Sequence, residues 1–339
     1  MTSLPAINTL DDVRALLSTL PEADAASMAQ AAQREPQLTK PPGSLGRLEA
    51  LSHWLAAWQG RHPPRMENPR THVFAGNHGV TDRGVSAYPA AVTEQMVGNF
   101  KAGGAAINQL CKTFDITLNV DALELDNPTA DFTQGPAMSE AETIQAITRG
   151  MAVVEDDCDV LCLGEMGIGN TTSAAAICHA LYGGQAADWT GPGTGVEGEA
   201  MTLKIGCVED AVKRHTGGDG LDTLMRLGGR ELAAIAGAII AARMKRVPVL
   251  LDGYVCSAAA SVLEATMAGA LDHCQVGHVS SEPGHLRLLQ KLDKTALINF
   301  EMRLGEASGA ALAVGLLKAA VACHSGMATF AEAGVSDKD

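Results

Sequence analysis

Several familiar features are missing from this chain of 339 residues. No apolar run of the length that spans a bilayer is expected. The opening MTSLPAINTLDDVRALLSTL lacks a basic segment followed by a continuous apolar core and a small-residue cleavage site. No export signal is therefore predicted, and the cytoplasm is the expected compartment. There is no strong basic patch: net charge is −14, and the densest basic stretch, RMKR at 243–246, is short and ends a helix. That excludes a nucleic-acid backbone as a partner. It leaves room for a small anion, which a helix N-terminus and one lysine can hold locally. The eight cysteines, Cys111, Cys158, Cys162, Cys178, Cys207, Cys256, Cys274 and Cys323, form no CxxC pair. They read as buried free thiols of a reducing compartment.

Motifs for metal and hydrolytic chemistry are missing too. The ten histidines give no HExxH and no zinc-ligand spacing. His72 and His78, or His273, His278 and His285, read as ordinary loop histidines. No GxSxG elbow is present, which disfavours a serine hydrolase. No metal and no cofactor are expected.

What is present is an alternation. The β-rich runs THVFAG (71–76), DITLNVDA (115–122), DVLCLGEMG (159–167), VPVLLDG (247–253) and CQVGHVSS (274–281) each end in a turn with Gly or Asp. Between them lie the helical stretches AVTEQMVGNFKAGGAAINQLC, SEAETIQAITRGMAVVE, TTSAAAICHALYG and GGRELAAIAGAIIAARMK. Strands alternating with helices predict an open, mainly parallel α/β sheet flanked by helices. Continuous apolar runs such as VPVLL predict strands buried on both faces. Residues 9–35 and 306–333 read as purely helical. The expected organisation is a large α/β domain over 60–300 and a small helical domain made from 1–59 together with 301–339.

Ligands of open parallel sheets sit beyond the carboxyl ends of the strands. GNHGV (76–80), GEMGIGNTT (164–172), DGY (252–254) and SSEPGH (280–285) occupy those places. GEMGIGNTT reads equally as an ordinary strand-to-helix turn or as an anion site, with Gly167 and Gly169 admitting a ligand and Asn170, Thr171 and Thr172 able to cap the helix. GxGxxG spacing fails and no Walker lysine follows, so neither a dinucleotide nor a nucleoside triphosphate is indicated. GPGTGVEG (191–198), followed by Lys204, reads first as a surface loop with an exposed lysine, and otherwise as a loop that closes on a phosphate. Glu306, after Gly305, is either a dipole partner of the helix it precedes or a general base with room for a flat substrate. Glu165 is the natural second carboxylate.

Five segments occur in order through almost the whole chain: KPPGSLGRLE (40–49), FAGNHGV (74–80), GEMGIGNTT (164–172), PVLLDGY (248–254) and MRLGEASGAAL (302–312). Together they resemble the nicotinate-nucleotide–dimethylbenzimidazole phosphoribosyltransferases, which make the lower-ligand nucleotide of cobalamin. The resemblance implies a homodimer, a Rossmann-like large domain and a small helical domain. It implies transfer of the 5-phosphoribosyl group of nicotinate mononucleotide to 5,6-dimethylbenzimidazole, giving α-ribazole 5′-phosphate and nicotinate with inversion at C1′. Glu306 becomes the catalytic base and Glu165 its helper at the base-binding site. Gly167, Asn170, Lys204, Gly253, Ser280 and Ser281 become the phosphate and ribose site. Tyr88, Val92 and Met96, spaced by helical turns in YPAAVTEQM, join Met166 and Leu304 as the benzimidazole wall. One position departs from the family pattern: Asn77 stands where AxDHGV is expected. The acidic pair and Thr-Gly-Gly-Thr-like loop of other phosphoribosyltransferases are absent, consistent with a donor that carries no pyrophosphate. Two other classes fit the same scaffold: a non-catalytic nucleotide or benzimidazole sensor, and a nucleosidase or phosphorylase.

Overall fold

The computed structural model describes residues 4–336. Its strands are β1 (Pro69–Ala75), β2 (Thr117–Ala122), β3 (Val160–Met166), β4 (Val249–Leu251) and β5 (Cys274–Val276). The helices are α1 (Leu10–Leu17), α2 (Ala25–Arg34), α3 (Arg47–Gln59), α4 (Ala91–Ala102), α5 (Ala106–Thr113), α6 (Glu140–Ala152) and α7 (Asn170–Tyr182). They continue with α8 (Gly198–Arg214), α9 (Gly220–Leu227), α10 (Arg230–Met244), α11 (Tyr254–Thr266), α12 (Pro283–Lys291), α13 (Ser308–Gly326) and α14 (Phe330–Ala333). All five expected strands are present and pair in parallel in the order β2-β1-β3-β4-β5. Val73 of β1 lies between Val120 of β2 and Gly164 of β3, and Leu163 faces Leu251. The chain leaves β1 toward one edge and returns to β3 on its other side, so the strand order reverses there.

The doubly buried strands carry the apolar runs. Every residue of β4, and every residue of β3 before Met166, is buried. Strand β2 lies at the sheet edge and alternates between exposed and half-buried residues, with Asn119 and Asp121 in its sequence. Polar side chains suit an edge that must not recruit another strand.

Two cores lie on the two faces of the sheet. One gathers α1, α6, α7, α9, α10 and α11, and the other gathers α3, α5 and α13. Helices α6 and α10 run unusually close because Gly150 and Gly237 face each other's backbone. A Cβ at Gly150 would collide with the Ala234 carbonyl, and one at Gly237 with that of Ile147. The stretch expected as one helix from Ala91 to Cys111 is two, because Gly103 at φ +79° ends α4 in a left-handed cap.

The two ends of the chain converge. Arg34 donates from Nε to the His324 carbonyl at 3.0 Å and from a terminal nitrogen to the Met327 carbonyl at 3.0 Å, and Leu38 bridges to Thr329. Both ends also pack with the 60–300 segment. Val13, Leu16 and Leu17 of α1 belong to the first core, while Ala310, Ala311, Val314 and Leu317 of α13 share the second with Val73, Val160 and Leu250. The expectation that no segment could span a bilayer needs correcting. Helix α13, 19 residues with mean hydropathy 1.3, is long and apolar enough. Here its apolar face lies against β3, β4, α3 and α5. All eight cysteines are free thiols, seven buried and Cys323 half-buried.

Candidate active site

Beyond the carboxyl ends of β3, β4 and β5 lies a cavity of about 280 Å³. Its wall is built from the turns that end these strands. Glu165 and Met166 come from the end of β3, Gly167 and Asn170 from the turn that follows it, Gly253 and Tyr254 from the β4 turn, and His278, Ser280 and Glu282 from the β5 turn. Tyr88, Arg303, Leu304, Gly305 and Thr194 complete the rim. Helices α7, α11 and α12 start at Asn170, Tyr254 and Pro283, so three helix N-termini converge on this space. Unpaired N–H groups and aligned peptide dipoles at such ends attract negative charge.

Glu165 is the titratable group at the floor. Burial pushes its carboxyl up to about 8, against the hydrogen bond that the Asn170 side chain donates to Oε2; nearby Asp252, Glu231 and Glu306 push the same way as burial. Asn170 therefore clamps Glu165 and does not cap α7. The cap position is taken by Gly169 at φ +93° without a side-chain bond. Thr171 accepts from Lys204, and Thr172 is buried with Oγ1 unpaired.

Glu306 touches Glu165 through the backbone, its N–H donating to the Glu165 carbonyl at 3.2 Å. It sits immediately behind the wall residue Gly305, in the left-handed region at φ +62°, and is not itself part of the lining. Its carboxyl is raised by burial, partly offset by the Ile107 backbone N–H at the start of α5, and one oxygen is buried without a partner. Gly305, at φ +86°, is required here: a Cβ would stand 2.7 Å from Glu165 Oε1. Asp252, the residue before Gly253, accepts from the Gly309 and Ala310 N–H groups at 2.7 and 3.1 Å and so closes the N-terminus of α13.

The remaining expected residues divide. Gly167, Asn170, Gly253, Ser280, Tyr88, Met166 and Leu304 line the cavity, with Tyr88 54% and Leu304 56% exposed at its mouth. Lys204 is not on an exposed loop. It is 1% exposed, donates 2.8 Å bonds to Thr171 Oγ1 and the Gly191 carbonyl, and is pulled down to about 8 by burial. It thus joins two cavity walls from behind. Ser281 is exposed outside the lining, its N–H bonded to the Met302 carbonyl. Val92 and Met96 are half-buried and outside the lining, and Met96 packs on the second core. Tyr88 precedes α4, so the three residues do not form one helical stripe. Asn77 lies outside the lining and donates to the Leu125 carbonyl at 3.0 Å. His72 belongs to β1 and not to a loop.

Arg303 and Glu282 were not singled out by sequence, and His278 was read there as an ordinary loop histidine, although all three line the cavity in or beside the strand-end turns. Arg303 donates to the Gly193 carbonyl at 3.0 Å, and Glu282 accepts from the Gly193 N–H at 2.9 Å. Together they hold the 191–195 loop over the cavity. His285 fixes the β5 turn. Its Nδ1 accepts from the Ser280 N–H at 2.8 Å, which leaves the proton on Nε2, 3.0 Å from Ser257 Oγ. Burial pulls His285 down to about 3, so the ring stays neutral.

Comparison with known proteins bears on this arrangement. A family model described as phosphoribosyltransferase matches residues 20–335. A Rhizobium meliloti (strain 1021) protein named nicotinate-nucleotide–dimethylbenzimidazole phosphoribosyltransferase is 58% identical over 97% of this chain and 98% of its own length. A Ruegeria sp. (strain TM1040) protein of the same name is 59% identical over 98% of this chain and 99% of its own. The crystal structure of CobT from Thermus thermophilus superposes with a TM-score of 0.86 at 40% identity, covering 92% of this chain and all of that one. With the five ordered segments and the cavity at the strand ends, these likenesses lead to one conclusion: the chain belongs to the nicotinate-nucleotide–dimethylbenzimidazole phosphoribosyltransferase family.

Proposed function

We propose that the protein transfers the 5-phosphoribosyl group of nicotinate mononucleotide to 5,6-dimethylbenzimidazole, releasing nicotinate and forming α-ribazole 5′-phosphate for the nucleotide loop of cobalamin. The observation that carries this reading is the convergence of three helix N-termini on a cavity floored by a carboxyl group. The dipoles receive the phosphate, with Gly167, Gly253 and Ser280 on the wall. Lys204 acts by joining Thr171 to Gly191.

The flat acceptor lies between Met166, Tyr88 and Leu304. One of its ring nitrogens attacks C1′ and the other gives up a proton. Glu306 takes that proton, turning past Gly305 when the substrates are bound. Catalytic contacts often tighten only in the complex. Glu165 holds its own proton at neutral pH and is clamped by Asn170, whereas Glu306 keeps one oxygen free to accept a proton. The nicotinate nitrogen is quaternary and positive in the donor, so it departs as a neutral ring without a general acid. Attack opposite the leaving ring inverts C1′ from β to α. The reading includes a cytoplasmic location, expected from the sequence, and a homodimer, carried over from the family resemblance.

The test is incubation of the purified protein with nicotinate mononucleotide, with and without dimethylbenzimidazole. Nicotinate and α-ribazole 5′-phosphate formed only when the base is present support the reading. Nicotinate release without base identifies a nucleosidase or phosphorylase, and tight binding without turnover identifies a sensor.

A further inference from the structure

The ends of the chain meet in a cluster that the reaction does not use. Glu35 opens the short turn after α2, His53 lies in α3, and His324 lies near the end of α13. At 1.5 Å per residue, the 16 residues from Ser308 place His324 about 24 Å along α13 from the cavity end. The His324 ring is buried and its Nδ1 stands 2.6 Å from Glu35 Oε2. His53 Nε2 is 3.8 Å from the same oxygen and is a buried atom with no hydrogen-bond partner. One donor atom from each of the three residues lies within 4.8 Å of the others.

The surroundings resemble the outer shell of a metal site. His324 presents Nε2 to His62 Nε2 at 3.1 Å, which fixes the ring and leaves Nδ1 facing Glu35 and His53. Glu35 keeps Oε2 for the cluster because Oε1 is taken by Lys40 at 2.8 Å, and the Lys40 charge is also met by Glu49 at 2.7 Å. Ligating histidines and carboxylates are ordinarily held by such partners on their far atoms.

We propose that Glu35, His53 and His324 bind a divalent transition ion of the zinc class, pinning the N-terminal helices to the end of α13. Two imidazoles and a carboxylate form a known zinc donor set, and a water completes the tetrahedron. Zinc at about 2.0–2.1 Å from each donor sets them about 3.3 Å apart. The present separations from Glu35 Oε2, 2.6 and 3.8 Å, lie on either side of that value. His53, whose side chain is 30% exposed, is the ligand with room to close. The site is invisible to motif reading because its donors come from three separated helical segments.

The full-length protein, stripped with a chelator and dialysed, is titrated with zinc chloride against a chromophoric competitor. The expected result is one tight zinc per chain, an affinity at least about tenfold weaker in His53→Ala, and a zinc-dependent rise in Tm seen in the wild type alone. Because His53 is partly exposed, His53→Ala is expected to fold; circular dichroism verifies this, and His53→Gln serves as a second variant. Cobalt substitution should give the spectrum of a four-coordinate ion in the wild type only. Zinc removal is expected to leave phosphoribosyl transfer within about twofold, since the cluster is remote from the cavity. Failure to bind one zinc per chain, or equal binding by folded His53→Ala and His53→Gln, would overturn the proposal.

Discussion

The turn after β3 and the turn before α13 share one backbone hydrogen bond but treat their carboxyl groups differently. Glu165 lines the cavity, is clamped by Asn170 and is raised to about 8. Glu306 sits one step behind the wall, in a left-handed conformation, with an oxygen that nothing satisfies. A protonated, clamped carboxyl suits orientation, whereas one with a free buried oxygen retains capacity for an incoming proton. Neighbouring acids are often separated into such roles by environment.

The largest test of this contrast is a pair of amide substitutions. Glu306→Gln should lower kcat by about two to four orders of magnitude, the range for a lost general base, with mononucleotide binding close to wild type. Glu165→Gln resembles the protonated form already present at neutral pH, so it should cost less than about tenfold. Steady-state kinetics with calorimetric binding decides between them. Equal losses would remove the division of labour, and near-normal turnover in Glu306→Gln would remove that residue from the mechanism.

The next effect is on stability against pH. Unfolded Glu165 ionises near 4.5, but the folded protein keeps its proton until about 8. Between those values the native state binds the extra proton, so stability falls as pH rises, by up to about 1.4 kcal/mol per unit from this group. Over two units in this window the loss approaches about 3 kcal/mol at most. Glu165→Gln should flatten that part of the Tm-against-pH curve, measured by calorimetry between about pH 5 and 8. A variant curve parallel to wild type would show that the carboxyl is not held protonated.

Gly305 joins the two turns. Gly305→Ala adds a Cβ 2.7 Å from Glu165 Oε1 at φ +86°, so it should cost about 2 kcal/mol of stability through strain and displacement of Glu165. Denaturant unfolding measures the cost, and a change within about 0.5 kcal/mol would mean the turn relaxes freely.

The difference between these turns also marks what sequence can reveal. Strands β3 and β4 were legible because strands buried on both faces need continuous apolar residues, as in Val249–Leu251. The strand-end turns were legible as places, since parallel topology puts ligands there. Helices α8, α9, α11 and α12 were not read, and α3 was not separated from the rest of the N-terminal segment. Side-chain direction was less accessible still. Val92 and Met96 have pocket-like spacing, yet the helix starts only at Ala91 and Met96 turns to the second core. Arg303 and Glu282 gain their roles by meeting Gly193, which lies about 90 to 110 residues away in sequence.

Lys204 provides the smallest and sharpest remaining test, because its sequence position suggests a phosphate contact and its geometry suggests a brace. Its ammonium group is occupied by Thr171 and Gly191, one from the α7 N-terminus and one from the Gly-rich loop. Lys204→Met removes both bonds while retaining much of the buried stem. Misaligning those two walls by the equivalent of about 1.4 kcal/mol should raise KM for the mononucleotide about tenfold, with kcat changed less than about threefold. A direct phosphate contact predicts a different signature: inorganic phosphate, a competitor lacking ribose and ring, should lose affinity as strongly as the mononucleotide. Under the brace, the phosphate site formed by the helix ends persists, and phosphate inhibition should change less than mononucleotide binding. Equal losses for both ligands would place the Lys204 charge on the substrate and make the Thr171–Gly191 bridge secondary.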